Sequence, residues 1–277
     1  MTGTLYLVPT PIGNLGDISR RMAETLEEVD FIAAEDTRVT LRLLNHMELK
    51  KPLLSYYRHN TQEAGRQVLD RLLAGESGAL VTDAGTPAVS DPGEDLVALC
   101  AENGVQVVAI PGPCALITAL AVSGLPTARF TFEGFLPMNR KNRRALLETL
   151  KGEERTMIFY EAPHKLAATL EDLAENFGGA RRISLCRELT KLHEEVFRTT
   201  LAGAAERYRT EAPRGEFVLV VEGVRHTETK LPSLADGLAR VSTLQGEGVS
   251  RKDAIKQAAK ELGLARNDLY TATLNAE

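Results

Sequence analysis

Tryptophan is absent from this 277-residue chain and aromatic residues make up only 5% of it, too few for a broad platform on which bases could stack. The cysteines Cys100, Cys114 and Cys186 are odd in number and widely spaced. They exclude a disulfide framework and a cysteine-built zinc site, and they suit a reducing compartment. No apolar run approaches membrane-spanning length, and no basic segment precedes the short apolar run of MTGTLYLVPTPIGN, so a cytoplasmic protein with no membrane partner is expected. Positive charge is not in excess: 33 Lys and Arg face 38 Asp and Glu, a net charge of -5, so any hold on nucleic acid must come from a local patch. The five histidines, His46, His59, His164, His193 and His226, show no metal-ligand spacing with carboxylates or cysteines, and no metal is expected. Neither GxxxxGK before Ser or Thr nor GxGxxG occurs, which argues against the nucleoside-triphosphate and dinucleotide cradles.

What the chain does contain is organised around the loop TDAGTPAVSDPG, Thr82 to Gly93. It follows the apolar run Ala79-Leu80-Val81 and precedes an amphipathic stretch bearing Leu96, Val97, Leu99 and Cys100. Strand, Pro- and Gly-rich loop and helix succeed one another, an order that puts irregular backbone at the carboxyl end of a buried strand, where open α/β sheets hold small ligands. Asp83 could accept from a ribose hydroxyl or an amine, and Gly85 lets a ligand lie against the main chain. Asp91 reads as the N-cap of the following helix.

Two more strand-end loops share this character. Thr4 to Val8 runs into Pro9-Thr10-Pro11-Ile12-Gly13-Asn14, and Val105 to Ile110 into Pro111-Gly112-Pro113. The stretch Cys114 to Val122, small and apolar throughout, suits a fully buried helix whose N-terminal amides meet a ligand. The apolar run Phe31 to Ala34 ends in Glu35-Asp36-Thr37-Arg38, where Asp36 either caps the next helix or serves a site. Alternation of strand and helix over residues 4 to 123 predicts a mostly parallel sheet covered on both faces.

Gly124-Leu125-Pro126-Thr127 is the expected boundary, giving domains at 1–123 and 128–224 and a tail at 232–277. Strands are expected at Phe130 to Phe135, Thr156 to Tyr160, Ile183 to Cys186, around Val196 and at Phe217 to Val221, in the less regular order of a mixed-sheet α+β domain. The tail is helical: Ser250 to Asp253 resembles a capping box, Gly263 ends a helix, and Asn267 caps another, in the manner of a helix-turn-helix. Its balanced charge suits packing or docking better than DNA reading.

A ligand with an adenosine, a zwitterionic tail and a cation would want backbone contacts, an Asp and small residues, and S-adenosylmethionine fits that description. The run Asn139-Arg140-Lys141-Asn142-Arg143-Arg144 sets four cations at a helix start, where the dipole disfavours them. Something must compensate, and an RNA phosphate backbone would do so. Glu188-Leu189-Thr190-Lys191 places a carboxylate, a hydroxyl and an amine just past a strand, as a salt-linked turn or as groups that orient a hydroxyl nucleophile.

Taken in order, PTPIGNL (9–15), EDTR (35–38), TDAGTPAVSDPG (82–93), PGP (111–113), FYEAPHK (159–165), ELTKLHEE (188–195) and GEFVLVVEG (215–223) resemble the bacterial 16S ribosomal RNA cytidine 2'-O-methyltransferases of the tetrapyrrole-methylase superfamily. The resemblance spans nearly the whole chain, and Thr82 stands where the family usually has Ser, which keeps the hydroxyl. It implies an α/β, two-domain tetrapyrrole-methylase-like fold with a parallel N-terminal sheet, a mixed C-terminal sheet and a helical appendage. It also implies a homodimer, S-adenosylmethionine in the cleft between domains, and a substrate in the decoding centre of the small ribosomal subunit. Pro11, Asp83, Ala84, Gly85, Thr86, Gly112, Pro113, Cys114, Ala115 and Ala162 would line the cofactor. Glu35, Asp36, Arg38, Glu188 and Lys191 are the candidates for helping the 2'-hydroxyl lose its proton, and Arg140, Lys141, Arg143 and Arg144 for RNA contact. A tetrapyrrole methyltransferase and a non-catalytic RNA-binding assembly factor are the other readings. EDTR, the basic run and the tail favour RNA.

Overall fold

Four-residue apolar runs become the inner strands of the first sheet. A computed structural model describes residues 2–225 and 232–275, so His226 and the last two residues of the expected tail lie outside the described residues. The strands β1 (Thr4–Leu7), β2 (Phe31–Ala34), β3 (Leu53–Ser55), β4 (Gly78–Val81) and β5 (Gln106–Ala109) pair in the order β3-β2-β4-β1-β5. Every pairing is parallel, as the alternation of strands and helices predicts. Successive residues of β2 serve opposite faces: Phe31 and Ala33 join the core under α3 (Thr61–Leu73) and α4 (Glu94–Glu102), while Ile32 and Ala34 join the one under α1 (Arg20–Glu28) and α2 (Thr37–His46). Burial on both faces is why β2 and β4 are apolar throughout.

Past the turn at Gly124–Thr127, β6 (Phe130–Phe135), β7 (Thr156–Glu161), β8 (Arg182–Arg187), β9 (Glu195–Thr200) and β10 (Phe217–Val221) form a second sheet in the order β6-β7-β10-β8-β9. One pairing is parallel and three are antiparallel, a mixed sheet. Its helices are α6 (Arg140–Leu150), α7 (Pro163–Phe177) and α8 (Leu201–Thr210). These bury Leu147, Leu166, Leu170, Leu173, Leu201 and Ala204 against one face. The other face receives α5 (Ala115–Val122), whose Leu116, Ala119 and Leu120 pack on Ile158, Cys186, Val218 and Val220. Residues 1–224 are accordingly one compact unit.

The helices α5 and α8 differ from the sequence reading. The α5 helix is not fully buried: Ile117 is 48% exposed, because only one face meets the sheet. The α8 helix has no counterpart in the expectation, since its buried stripe Leu201, Ala204, Ala205 and Tyr208 is largely alanine and weakly periodic in hydropathy.

Residues 225–277 form a separate unit. Its described helices, α9 (Leu234–Gly246), α10 (Arg251–Leu262) and α11 (Arg266–Asn275), bury Val241, Leu244, Ile255, Ala258 and Leu269 together. Gly263 ends α10 in the left-handed conformation, with φ of 64°. Ser250 accepts from the Asp253 amide at the start of α10, while both reciprocal bonds of a capping box occur at Ser233 and Asp236 of α9. Asn267 lies inside α11 and does not cap it, the helix having begun at Arg266.

Candidate active site

The strand order sets β2, β4 and β1 side by side, so the loops leaving their carboxyl ends meet. Thr10 and Gly85 exchange backbone hydrogen bonds of 2.9 and 3.0 Å, and the Thr10 hydroxyl donates to the Thr82 carbonyl at 3.0 Å. The Thr82 hydroxyl donates to Glu35 Oε2 at 2.6 Å, and the Asp36 amide to Asp83 Oδ1 at 3.1 Å. The third loop is tied in by the Thr86 hydroxyl, which donates to the Pro113 carbonyl at 2.9 Å. The central loop takes an unusual path: Gly85 and Gly93 have φ of 88° and 141°, and Ala88 and Ser90, which bear side chains, have φ of 65° and 70°. Backbone of this kind persists only where its surroundings over-determine it, and it clusters at ligand sites.

These loops form one wall of a cavity of about 530 Å³, the size of a small-molecule site. Glu35, Thr82, the run Asp83–Thr86, Asp91, Cys114 and Ala115 line that wall. The opposite wall comes from the second sheet, with Tyr160 and Glu161 at the end of β7, Ala162 and Pro163 just after it, and Glu216, Phe217 and Val218 at the start of β10. Glu161 is buried but satisfied, accepting from the Ala162 amide at 2.8 Å and the Thr169 hydroxyl at 2.6 Å.

Burial, with Glu35 nearby, raises the Asp83 carboxyl above the ordinary range. Asp91 is pushed up to about 6 by burial first and Glu35 second, against a lowering hydrogen bond from Thr82. Burial also raises Tyr160, to about 12.

Of the expected cofactor contacts, Asp83, Ala84, Gly85, Thr86, Cys114, Ala115 and Ala162 line this cavity. Pro11, Gly112 and Pro113 belong to the same loops but do not line it: a Cβ on Gly112 would lie 2.9 Å from Pro9 Cβ, and the Pro113 carbonyl accepts from Thr86. Of the five expected catalytic groups, only Glu35 faces the cavity. Asp36 caps α2 through the Arg38 amide and grips the Arg38 guanidinium at 2.6 and 3.0 Å, which lowers its carboxyl to about 2. Lys191 donates to Glu188 and Glu216, at 2.8 Å each, in a loop where Glu188 and Thr190 have φ of 50° and 68°. These bonds outweigh desolvation and hold the ammonium above its ordinary range.

The basic run finds its compensation within the chain. Asp172, with no side-chain exposure, takes Arg140, Arg143 and Arg144 at 3.1, 2.6 and 3.0 Å. Arg143 is itself buried, whereas Lys141 is exposed.

The reading of Asp91 as a helix cap is corrected. Gly93 occupies the N-cap of α4 with no side-chain cap, and Asp91 turns to the cavity. The cap reading failed because a helix start two residues further on, at Glu94, is not visible in local spacing. Tyr160 and Glu216 are further lining residues that local pattern did not single out.

The model of the tetrapyrrole (corrin/porphyrin) methylases matches residues 4–205. The chain belongs to the tetrapyrrole methylase family. It is similar to a protein of Synechocystis named ribosomal RNA small subunit methyltransferase I, with 48% identity over 277 residues, 99% of each chain. A protein of the same name from Thermotoga maritima is 48% identical over 221 residues, 80% of this chain and 99% of that one. Among solved structures, the uroporphyrin-III C-methyltransferase of Thermus thermophilus complexed with S-adenosylhomocysteine aligns at TM-score 0.56 and 17% identity. It covers 79% of this chain and 97% of that one. The shared fold of this methylase is thus independent of close sequence likeness. Among the described residues no His, Cys, Asp and Glu group suits a metal ion, and no helix is long and apolar enough to cross a membrane.

Proposed function

We propose that this methylase transfers the methyl group of S-adenosylmethionine to the 2'-hydroxyl of a cytidine in 16S ribosomal RNA. The observation that carries the reading is identity of nearly half the residues, end to end, with a relative named as a small-subunit ribosomal RNA methyltransferase. The tetrapyrrole alternative has the fold in its favour but only 17% identity, and a non-catalytic role has no structural feature in its favour.

The cavity fits the cofactor. Gly85 opens the backbone, Ala84, Cys114 and Ala115 are small, and Asp83 offers a carboxylate to a ribose hydroxyl or an amine. S-adenosylmethionine supplies a sulfonium-bound methyl group. Asp83, the loop through Thr86, the 112–115 segment, Pro11 and Ala162 would hold and orient it, so that alignment with the nucleophile is set by the protein.

Glu35 is the one of the five candidate groups that stands in the cavity. The Asp36–Arg38 and Glu188–Lys191 pairs are electrostatic positioning groups at its approaches. Each carboxylate already holds a cation, which suits orientation better than proton uptake. Arg140, Lys141 and Arg144 are partly or fully exposed and present charge to RNA. Arg143 fixes α6 to Asp172. The substrate is the cytoplasmic small ribosomal subunit, and the enzyme acts as a homodimer.

The test is methyl transfer to small subunits from a strain lacking the activity, with 16S RNA and a uroporphyrin as competing substrates. Methylation of the uroporphyrin and not of subunits would reverse the reading.

A further inference from the structure

A second cavity, of about 400 Å³, is built on the same carboxyl edge of the first sheet by the loops after β3 and β4. Asp91 is the one described residue that lines both it and the cofactor cavity, so the two spaces meet at this residue. The rest of the lining includes Arg58, Thr61, Asp95 and Glu94. Arg58 has no carboxylate partner among the described residues, in contrast to Arg38, Arg140, Arg143 and Arg144. An unpaired guanidinium at the mouth of a cavity suits a phosphodiester, which it can grip with two parallel hydrogen bonds. Next to it in the chain, Tyr57 is 42% exposed, with its ring edge-to-face with His59, and can stack on a base.

We propose that the second cavity receives the target nucleotide, its phosphate on Arg58, and that Asp91 is the carboxylate that takes the 2'-hydroxyl proton. This rests on the reading of the chain as an RNA 2'-O-methyltransferase. The 2'-oxygen bonds to the methyl carbon while the carbon–sulfur bond breaks, its electron pair going to sulfur. The hydroxyl proton passes to Asp91 and from there to solvent.

The other acids are placed less well. Asp36 is held by Arg38, Glu188 by Lys191 and the Glu216 amide, and Glu35 lines the first cavity alone. Asp95 accepts from the Tyr56 hydroxyl at 2.5 Å and the Leu96 amide at 3.0 Å. The groups facing Asp91 are Glu35, Asp83 and the Thr82 hydroxyl from the first sheet, Tyr160 from the second, and Arg58, Glu94 and Asp95 around the second cavity. With its carboxyl at about 6, Asp91 is ionised at neutral pH and still basic enough to accept a proton.

The experiment is single-turnover methylation of small subunits at saturating S-adenosylmethionine, as a function of pH, for the wild type, Asp91→Asn, Asp91→Glu and Arg58→Ala. The wild-type rate should fall about tenfold per unit below an apparent pKa near 6. Asp91→Asn should lose about 100-fold or more together with that acid limb, and Asp91→Glu should recover both in part. Arg58→Ala should raise the subunit concentration that gives the half-maximal rate, with the saturating rate little changed. A wild-type rate that is flat from about pH 5 to 7, or an Asp91→Asn rate within about twofold of wild type, overturns the proposal. Wild-type protein that methylates no subunit removes the underlying reading as well, which separates the two failures.

Discussion

The Thr82 hydroxyl donates to the Glu35 carboxylate across 2.6 Å, joining the ends of β4 and β2 at the cavity wall. Thr82 is buried, so Thr82→Val leaves a carboxylate oxygen without its donor, a loss of about 1–3 kcal/mol. Thr82→Ser keeps the donor and should be close to neutral. Chemical denaturation and S-adenosylmethionine titration of both variants check this. Equal stability and affinity for the two would remove the bond from the account.

Asp172 anchors three arginines from a site with no side-chain exposure. Its replacement by Ala strands Arg143 in the interior and should cost about 3–5 kcal/mol in urea unfolding. Arg140→Ala and Arg144→Ala remove exposed partners and should each cost about 1 kcal/mol or less. The same two variants should weaken binding to subunits and flatten its salt dependence.

Asp36 and Asp91 should shape stability against pH with opposite signs. Arg38 lowers Asp36 from 3.8 to about 2 in the folded chain, so its contribution is complete above the ordinary carboxylate range and is lost as pH falls through about 2. Asp36→Asn should flatten the acid limb of the denaturant midpoint in that window. Asp91 is raised from 3.8 to about 6, so the folded chain binds its proton more tightly and stability falls as pH rises through that interval. Asp91→Asn should therefore be more stable than wild type above pH 6, by about 3 kcal/mol at most. A carboxylate retained at such a cost is what a functional site predicts.

Gly215 has φ of 82°, and a Cβ there would lie 2.5 Å from Glu188 Cγ. Gly215→Ala should displace Glu188 and loosen the Glu188–Lys191 pair, lowering turnover more than it lowers cofactor affinity. Unchanged turnover would show that this pair has no positioning role.

Every residue lining the 530 Å³ cavity belongs to the unit 1–224, and the Thermotoga relative is matched along 99% of its length by only 221 residues. Removal of 226–277 should leave S-adenosylmethionine affinity within about twofold of the full chain. Calorimetric titration checks this, and a loss of binding would tie the three-helix unit to the cofactor.

The first sheet was legible because buried parallel strands are short, wholly apolar runs such as Phe31 to Ala34, and because the Pro- and Gly-rich loops after them mark where the backbone turns to a ligand. The second sheet's strands could be found, but α8 could not, since Leu201, Ala204 and Ala205 offer little contrast between faces. Within the site, Asp83 was visible from its loop. The roles of Asp91 and Arg143 depend on what each meets across the fold: a cavity and Asp172, respectively. Neighbours in sequence say little about such contacts, and a charge before a helix reads as a cap until the helix start is fixed.

The most direct test is methyl transfer from labelled S-adenosylmethionine to small ribosomal subunits lacking the modification, followed by nuclease mapping of the labelled nucleotide. The account predicts label on a single 2'-O-methylcytidine of 16S RNA. Protein that binds the cofactor yet labels neither subunits nor free 16S RNA would contradict it.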